Sequence, residues 1–275
     1  MFRSGLIGRA ILASRSPWLH EQEARAQGLE LTYELFDFTD RGMDDAELGP
    51  LLHRLADEGY CGVNVTFPFK QAVIPLLDEL AECATAVGAV NTVAMRAGRL
   101  IGYNTDKTGF QDSLSEGLPG AALGRVLQLG AGGAGSAVAN ALLSLGVEHL
   151  EITDVDPERA ADLAARLSAH YGAGRAIGRA ADALDTSAID GIVNTTPMGM
   201  ASTPGTAIAP ALIAPRHWVA DIVYFPLETE LLRIARERGC AVLNGSGMVI
   251  GQAAMAFEIF TGHKADRQRM RQTFR

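Results

Sequence analysis

"LQLGAGGAGSAVANAL", residues 127–142, decides how the rest of this chain is read. The segment "RVLQL" reads as a short strand and runs straight into Gly130, Gly132 and Gly135, spaced GxGxxG. The alanine-rich segment that follows reads as a helix. Glycine turns are common, so the spacing alone says little; a strand before it and a helix after it make it a phosphate-binding turn. Gly130 would permit the tight turn, Gly132 would let the backbone approach a pyrophosphate, and Gly135 would let helix and strand pack closely. The helix N-terminus adds unpaired N–H groups and a positive dipole end. The segment therefore reads as a dinucleotide site, against the competing reading of a structural turn in another α/β fold.

The next strand, "LEIT", ends at Asp154, 24 residues after Gly130. An acid about 20 residues beyond the turn holds the adenosine ribose through its hydroxyls and repels a 2′-phosphate. The run "TDVDPERA" carries no arginine before Arg159. NAD is therefore expected rather than NADP. Asp154 could instead cap the helix near Pro157, but Asp156 stands better placed for that.

Outward from this core, strands and helices alternate. "HLEITD", "GIVN", "WVAD" and "CAVLN" read as strands, and "DPERAADLAARLSAHYG" and "ETELLRIARERG" as helices. Such alternation implies right-handed βαβ units and a parallel sheet. Before Arg125 stands a second α/β series. Its strands are "GLIG", "LTYELFDF", Val63–Phe67 and two around Ala97-Gly98. Its helices are "PWLHEQEARAQGL", "DDAELGPLLHRLADEGY", where Pro50 should break or restart the helix, and one from Gln71. The strand from Val63 leads to Lys70, which reads either as a solvated lysine at a helix start or as one aimed into the crevice at the carboxyl end of the sheet, where ligands of open α/β sheets bind. The expected fold is α/β with two domains. The first is an α/β unit of about a hundred residues, and the second is the βαβ series that carries the glycine turn. The final helices could pack anywhere; a return to the first domain would close a cleft.

Composition narrows the function. With 48% hydrophobic and 20% charged residues the chain should pack a core rather than stay disordered. A net charge of −8 argues against nucleic acid, and the basic tail "RQRMRQTFR" reads as a solvated helix face. Cys61, Cys83 and Cys240 form no CxxC pair, which suggests reduced thiols in the cytoplasm. The six histidines show no ligand spacing, so no metal is expected. "GMVIGQAAMAFEIF" is too short and too polar to span a bilayer, and Arg9 and Arg15 interrupt any signal sequence.

Polar clusters stand where strands end: "SRSP", "NVTFPFK", "VNT", "NTD" and "GMVIGQ". With "GAGGAG", "NTTPMGM" and "DIVYFPLET" they occur in the order seen in one family, over essentially the whole chain. The chain resembles the shikimate dehydrogenase family, including its quinate/shikimate members. The resemblance implies that Lys70 and Asp106 are the catalytic pair. It implies a substrate domain of residues 1–106 completed by returning C-terminal helices at 246–275, and a Rossmann domain over 107–245. It implies that Ser14 and Ser16 bind the substrate carboxylate; Arg15 between them would face away in an extended loop, though not in a turn. Thr66, Asn91, Tyr224 and Gln252 would contact the ring or its hydroxyls. The dinucleotide would meet Gly130, Ala131, Gly132, Gly133, Ala134, Asp154, Thr195, Ile222, Gly245 and Met248. NADP-using members carry Asn-Arg-Ser/Thr where this chain has Thr153, Asp154 and Val155, so the resemblance is to the NAD-preferring branch.

The implied reaction oxidises a ring alcohol of shikimate to 3-dehydroshikimate, and that of quinate to 3-dehydroquinate, reversibly. Lys70 and Asp106 would orient the hydroxyl and shuttle its proton, or hold the developing alkoxide by charge. The partner is a small molecule, with no nucleic acid or membrane, and a homodimer is compatible with the sequence. One rival is another two-domain Rossmann enzyme such as a methylenetetrahydrofolate dehydrogenase. It accounts for the glycine turn but not for "SRSP" with "NTD". Another is a redox sensor that binds nucleotide without catalysis, which should have lost the lysine or the aspartate.

Overall fold

The computed structural model describes residues 1–274. By their internal contacts they fall into two units: Met1–Asp106 with the residues from Ile250 on, and Lys107–Val249.

The first unit is built on strands β1 (Phe2–Gly8), β2 (Leu31–Asp37), β3 (Gly62–Val65), β4 (Glu79–Leu80), β5 (Thr92–Arg96) and β6 (Arg99–Tyr103). Helices α1 (Ser16–Ala26), α2 (Leu48–Asp57) and α3 (Glu82–Val87) connect them. The sheet order is β2-β1-β3-β5-β6-β4. It is mixed: β1 pairs in parallel with β2 and β3, whereas β5 runs antiparallel to both β3 and β6. The turn at Ala97-Gly98 explains this. Both residues have positive φ, 51° and 76°, the requirement of a two-residue hairpin that matches strand twist.

Helix α2 shows how pattern becomes packing. Leu48, Leu51, Leu52 and Leu55 recur at helical spacing and are all buried. They pack in one cluster with Ile7, Phe36, Phe38 and Val63. Each buried leucine is worth about 1.5–3 kcal/mol. Pro50 does not break α2, because it is the helix's third residue, where the missing N–H has no intrahelical acceptor anyway.

Two expectations fail beside the site. No α-helix starts at Gln71; the chain makes turns and a 3-10 helix at Ile74–Leu76. Pro75 lies in that segment, lacks an N–H, and disfavours helical geometry in the residue before it. Strand β3 also ends at Val65 rather than Phe67, and Lys70 lies in the turn that follows.

The second unit has six parallel strands: β7 (Arg125–Leu129), β8 (His149–Thr153), β9 (Ala176–Arg179), β10 (Gly191–Asn194), β11 (Trp218–Asp221) and β12 (Ala241–Leu243). Their order, β12-β11-β10-β7-β8-β9, is that of a doubly wound dinucleotide fold with its switch point between β10 and β7. Helices α4 (Asp106–Gly117), α5 (Gly133–Ser144), α6 (Pro157–Tyr171) and α7 (Glu230–Glu237) accompany them. Strand β9 has no clear signal in "AIGR", whose one large apolar residue, Ile177, is exposed. Asp156 caps α6 by accepting from Glu158 N. The chain ends with α8 (Ser246–Thr261) and α9 (Arg267–Phe274).

Helix α9 is not a solvated face. Met270 and Phe274 are buried, and Arg269 makes two bonds, 2.7 and 2.9 Å, to Glu23 on α1. Next to it in the same unit, His20 is fully buried between Tyr33, Phe257 and Phe260. Burial pushes its pKa down to about 3. The unfolded chain therefore binds the proton first, and folding stability should fall as pH drops from about 6.5 towards 3, by up to ~1.4 kcal/mol per unit. His20→Leu should flatten this acid limb in melts taken between pH 7 and 4. An unchanged limb would assign it to other groups.

Candidate active site

Lys70 Nζ donates to Asp106 Oδ2 at 2.6 Å. The ion pair is largely enclosed, with 17% of the lysine side chain and 7% of the aspartate side chain exposed. Backbone bonds fix both ends. Val90 N donates to Lys70 O, and Asp106 N to Asn104 Oδ1. Asn104 is itself held, donating to Ala89 O at 2.9 Å.

Asn91 is buried next to this group. Its Oδ1 accepts from Thr105 N at 2.8 Å and its Nδ2 donates to Thr105 Oγ1 at 2.9 Å. Behind it, Asn64 donates to Thr92 Oγ1 and to Asn91 O, and accepts from Tyr33 Oη. A buried amide needs such partners, and the chain of bonds sets the geometry of residues 104–106. Asn64 stands in the cluster "NVTFPFK" without a role read for it, and Asn104 and Thr105 are not marked by the sequence, because nothing in spacing marks a buried polar residue whose partners are distant in the chain.

The serine pair is brought together. Ser14 Oγ and Ser16 Oγ are 3.2 Å apart, and Ser16 N also donates to Ser14 Oγ. Ser16 is the first residue of α1, which has no side-chain cap and no acid in its first turn. The intervening Arg15 turns to Phe274 O at 3.0 Å. Asp37 holds the start of this loop, accepting from Ala10 N at 3.0 Å and Ile11 N at 2.6 Å. Burial alone would raise the Asp37 carboxyl, but backbone N–H donors from Ile11, Thr39, Asp40 and Ala10 outweigh it and lower the pKa. Thr66 follows β3, with its N–H on Ile7 O, and Gln252 is half-buried on α8; both belong to this unit. Tyr224 belongs to the second unit, on an exposed loop after β11.

In the second unit Gly130 has φ +105°, the left-handed region that favours glycine. A Cβ on Gly135 would strike Gly130 O, so helix α5 can pack on the turn only without one. A Cβ on Gly132 would meet nothing within 4 Å, leaving open the side from which a pyrophosphate approaches. Thr195 Oγ1 donates to Leu129 O and Gly130 O, which ties the end of β10 under the turn. Buried Gln128 donates to Gly130 O at 2.8 Å and Gly135 O at 2.9 Å. Gln128→Leu should destabilise the unit by about 0.5–1.5 kcal/mol, the net value of a hydrogen bond, because Gly130 O keeps Thr195 Oγ1 as a donor. A wild-type midpoint in urea would refute that. Asp154 accepts from Ala131 N at 2.7 Å and Asp156 N at 3.0 Å, so its carboxylate stands at the mouth of the glycine turn. Val155 beside it is 99% exposed. Gly133 and Ala134 open α5, Ala131 lies within the turn, and Met248 packs into this unit's core.

Among the described residues, no group of three or more His, Cys, Asp or Glu could hold a metal ion. No described helix is long and apolar enough to cross a membrane.

Residues 6–93 match the family model described as shikimate dehydrogenase substrate binding domain, and residues 245–273 match the shikimate 5'-dehydrogenase C-terminal domain. The chain is 52% identical to a shikimate dehydrogenase (NADP(+)) of Streptomyces avermitilis, over 97% of this chain and 92% of the relative. It is 48% identical to a quinate/shikimate dehydrogenase (NAD(+)) of Corynebacterium efficiens, over 98% and 96%. Among solved structures, a quinate dehydrogenase from Corynebacterium glutamicum in complex with NAD superposes with a TM-score of 0.92 at 46% identity, covering 99% of this chain and 98% of that one.

Proposed function

The chain belongs to the shikimate dehydrogenase family, and on that premise we propose that it oxidises shikimate reversibly to 3-dehydroshikimate with NAD, taking quinate as a second substrate. The observation that carries the reading is the enclosed Lys70–Asp106 pair at 2.6 Å. A redox sensor without chemistry has no need of such a pair, and the family excludes a folate enzyme.

Several features support each role. Ser14, Ser16 and the uncapped N-terminus of α1 offer hydroxyls and a positive dipole end to a carboxylate. Lys70 would stand against the reacting oxygen, and Asp106 would accept from a ring hydroxyl through the oxygen not used by lysine. Between them they would take up the proton that leaves the alcohol. Asn91, with Thr66 and Gln252, would fix the ring.

The second unit suits a dinucleotide: Gly132 leaves open space, and Asp154 presents a carboxylate at the turn. When bound, the dinucleotide supplies the hydride acceptor. Gly130, Ala131, Gly132, Gly133 and Ala134 would hold its phosphates, Asp154 the ribose, and Thr195, Ile222, Gly245 and Met248 the nicotinamide end. Relatives named for each cofactor match about equally well, so the choice of NAD rests on Asp154 and Val155. A cytoplasmic homodimer with reduced Cys61, Cys83 and Cys240 completes the proposal; light scattering reads the dimer.

Steady-state kinetics on both acids test the substrate. Quinate adds a hydroxyl at the carbon that bears the carboxylate, and an unpaired polar group there costs about 1–3 kcal/mol. We expect kcat/KM with NAD to be lower for quinate by the corresponding factor. An equal or higher quinate value refutes the preference, and no turnover of either acid refutes the substrate class.

A further inference from the structure

Asp221 ends β11 and is 2% exposed. Its Oδ1 accepts from Asn194 Nδ2 at 2.9 Å and Val223 N at 3.0 Å, and its Oδ2 from Thr229 Oγ1 at 2.7 Å. All three donors are neutral. Among the described residues no cation pairs with it, and the groups that move its pKa are burial, Thr229, Val223 and Asn194 alone. Burial pushes the carboxyl up to about 6, against the pull of those hydrogen bonds. It is therefore an ionised, buried and uncompensated charge above that pH, an arrangement that is costly to fold around. An asparagine would fill the same space and keep the same contacts, so the charge itself calls for an explanation.

Its position supplies one. Ile222 follows Asp221 in the chain, and Thr195 follows Asn194, whose amide is bonded to the carboxylate. A Cβ on Gly245 would meet Ile222 O, and would lie 2.8 Å from Val223 O. Three residues assigned above to the nicotinamide end thus adjoin Asp221 or its hydrogen-bond partners in the chain or, for Gly245, through Val223, and Asp221 itself stands at the carboxyl end of β11, the edge of the sheet where dinucleotides bind.

We propose that the Asp221 carboxylate biases the site towards the oxidised dinucleotide, favouring its positively charged nicotinamide over the neutral reduced ring. The inference rests on the dinucleotide reading of the second unit. Two unit charges roughly 10 Å apart at an effective dielectric near 20 change an equilibrium on the order of tenfold. Asp221 would act through its field, as a positioning residue whose own bonds are all to protein groups.

Few other groups titrate near it. Packed against β11, β10 contributes Asn194, and β12 has no charged residue. On α7, Glu230 is exposed, Arg233 pairs with Glu237, and Arg236 pairs with Glu228 just before the helix. His217 precedes the opposite end of β11, and burial holds its pKa below the usual value. Comparison with Asp221→Asn separates its contribution.

The test is the ratio of dissociation constants, Kd(NADH)/Kd(NAD+), with NADH titrated by its fluorescence and NAD+ by competition. In Asp221→Asn, Oδ1 still accepts from Asn194 and Val223, and Nδ2 donates to Thr229 Oγ1, whose hydroxyl can turn to accept. Both Oδ1 bonds survive and the charge goes, while the Thr229 hydroxyl, which already accepts from Leu232 N, gives up Asp221 as its acceptor. The ratio should fall about tenfold at pH 8, and its rise between pH 5.5 and 7.5 in the wild type should disappear. A folded variant with an unchanged ratio overturns the proposal. If the variant does not fold, the wild-type profile decides, and a ratio constant across that range overturns it. Failure to bind either dinucleotide overturns this inference together with the reading of the unit. The predicted ratio shift in a protein inactive on both acids supports it while the substrate assignment falls.

Discussion

Lys70→Ala lowers kcat for shikimate oxidation on the order of a hundredfold or more, the scale of a positioned acid–base group. Lys70 is not part of the core: its side chain is partly exposed and bonds to Asp106. The turn that carries it is held through backbone, with Val90 N on Lys70 O and Phe69 buried beside it. Truncation therefore leaves the fold standing. It also leaves the Asp106 carboxylate enclosed without its cation, which should lower the melting temperature modestly. KM for shikimate should move far less than kcat, because a group that works on the departing proton contributes mainly in the transition state. A folded variant with near wild-type kcat would reduce Lys70 to a surface lysine.

The two units differ in how much of each a sequence can carry. The glycine turn was legible because backbone geometry dictates residue type there: Gly130 needs its positive φ and Gly135 has no room for a Cβ. Asp154 was legible from its distance beyond the turn, and Asp156 from its place before Pro157. The Lys70–Asp106 contact joins residues 36 apart, and no periodicity reports such a contact; it came through the order of family motifs. The buried polar frame was not legible at all. Asp37 and Asp221 serve groups 26 and 27 residues away that only the fold brings near, and Gln128 holds carbonyls of the glycine turn that follows it. In sequence each looks like an ordinary strand-end residue. The segment after β3 misled for the converse reason. "QAVIPLL" has helical apolar spacing, but Pro75 removes the N–H and restricts Ile74, so only a 3-10 turn forms.

Asp154→Ala should raise KM for NAD by the equivalent of about 1.5–3 kcal/mol, the range for hydrogen bonds to a charged group, or roughly ten- to a hundredfold. Part of that loss comes from the ribose hydroxyls. Part comes from the turn itself, because Ala131 N and Asp156 N both donate to this carboxylate, and the variant leaves them to water. Asp154→Asn separates the two. Its amide oxygen can still accept from Ala131 N, so the turn keeps its shape while the charge that repels a 2′-phosphate is gone. Val155, fully exposed next to it, brings no cation to attract that phosphate. We therefore expect the asparagine variant to narrow the preference for NAD without reversing it, and the alanine variant to lose affinity for both dinucleotides, more for NAD. Measured as kcat/KM with each dinucleotide at saturating shikimate, the wild type must prefer NAD. A wild-type value higher with NADP would show that the carboxylate at residue 154 does not select the cofactor.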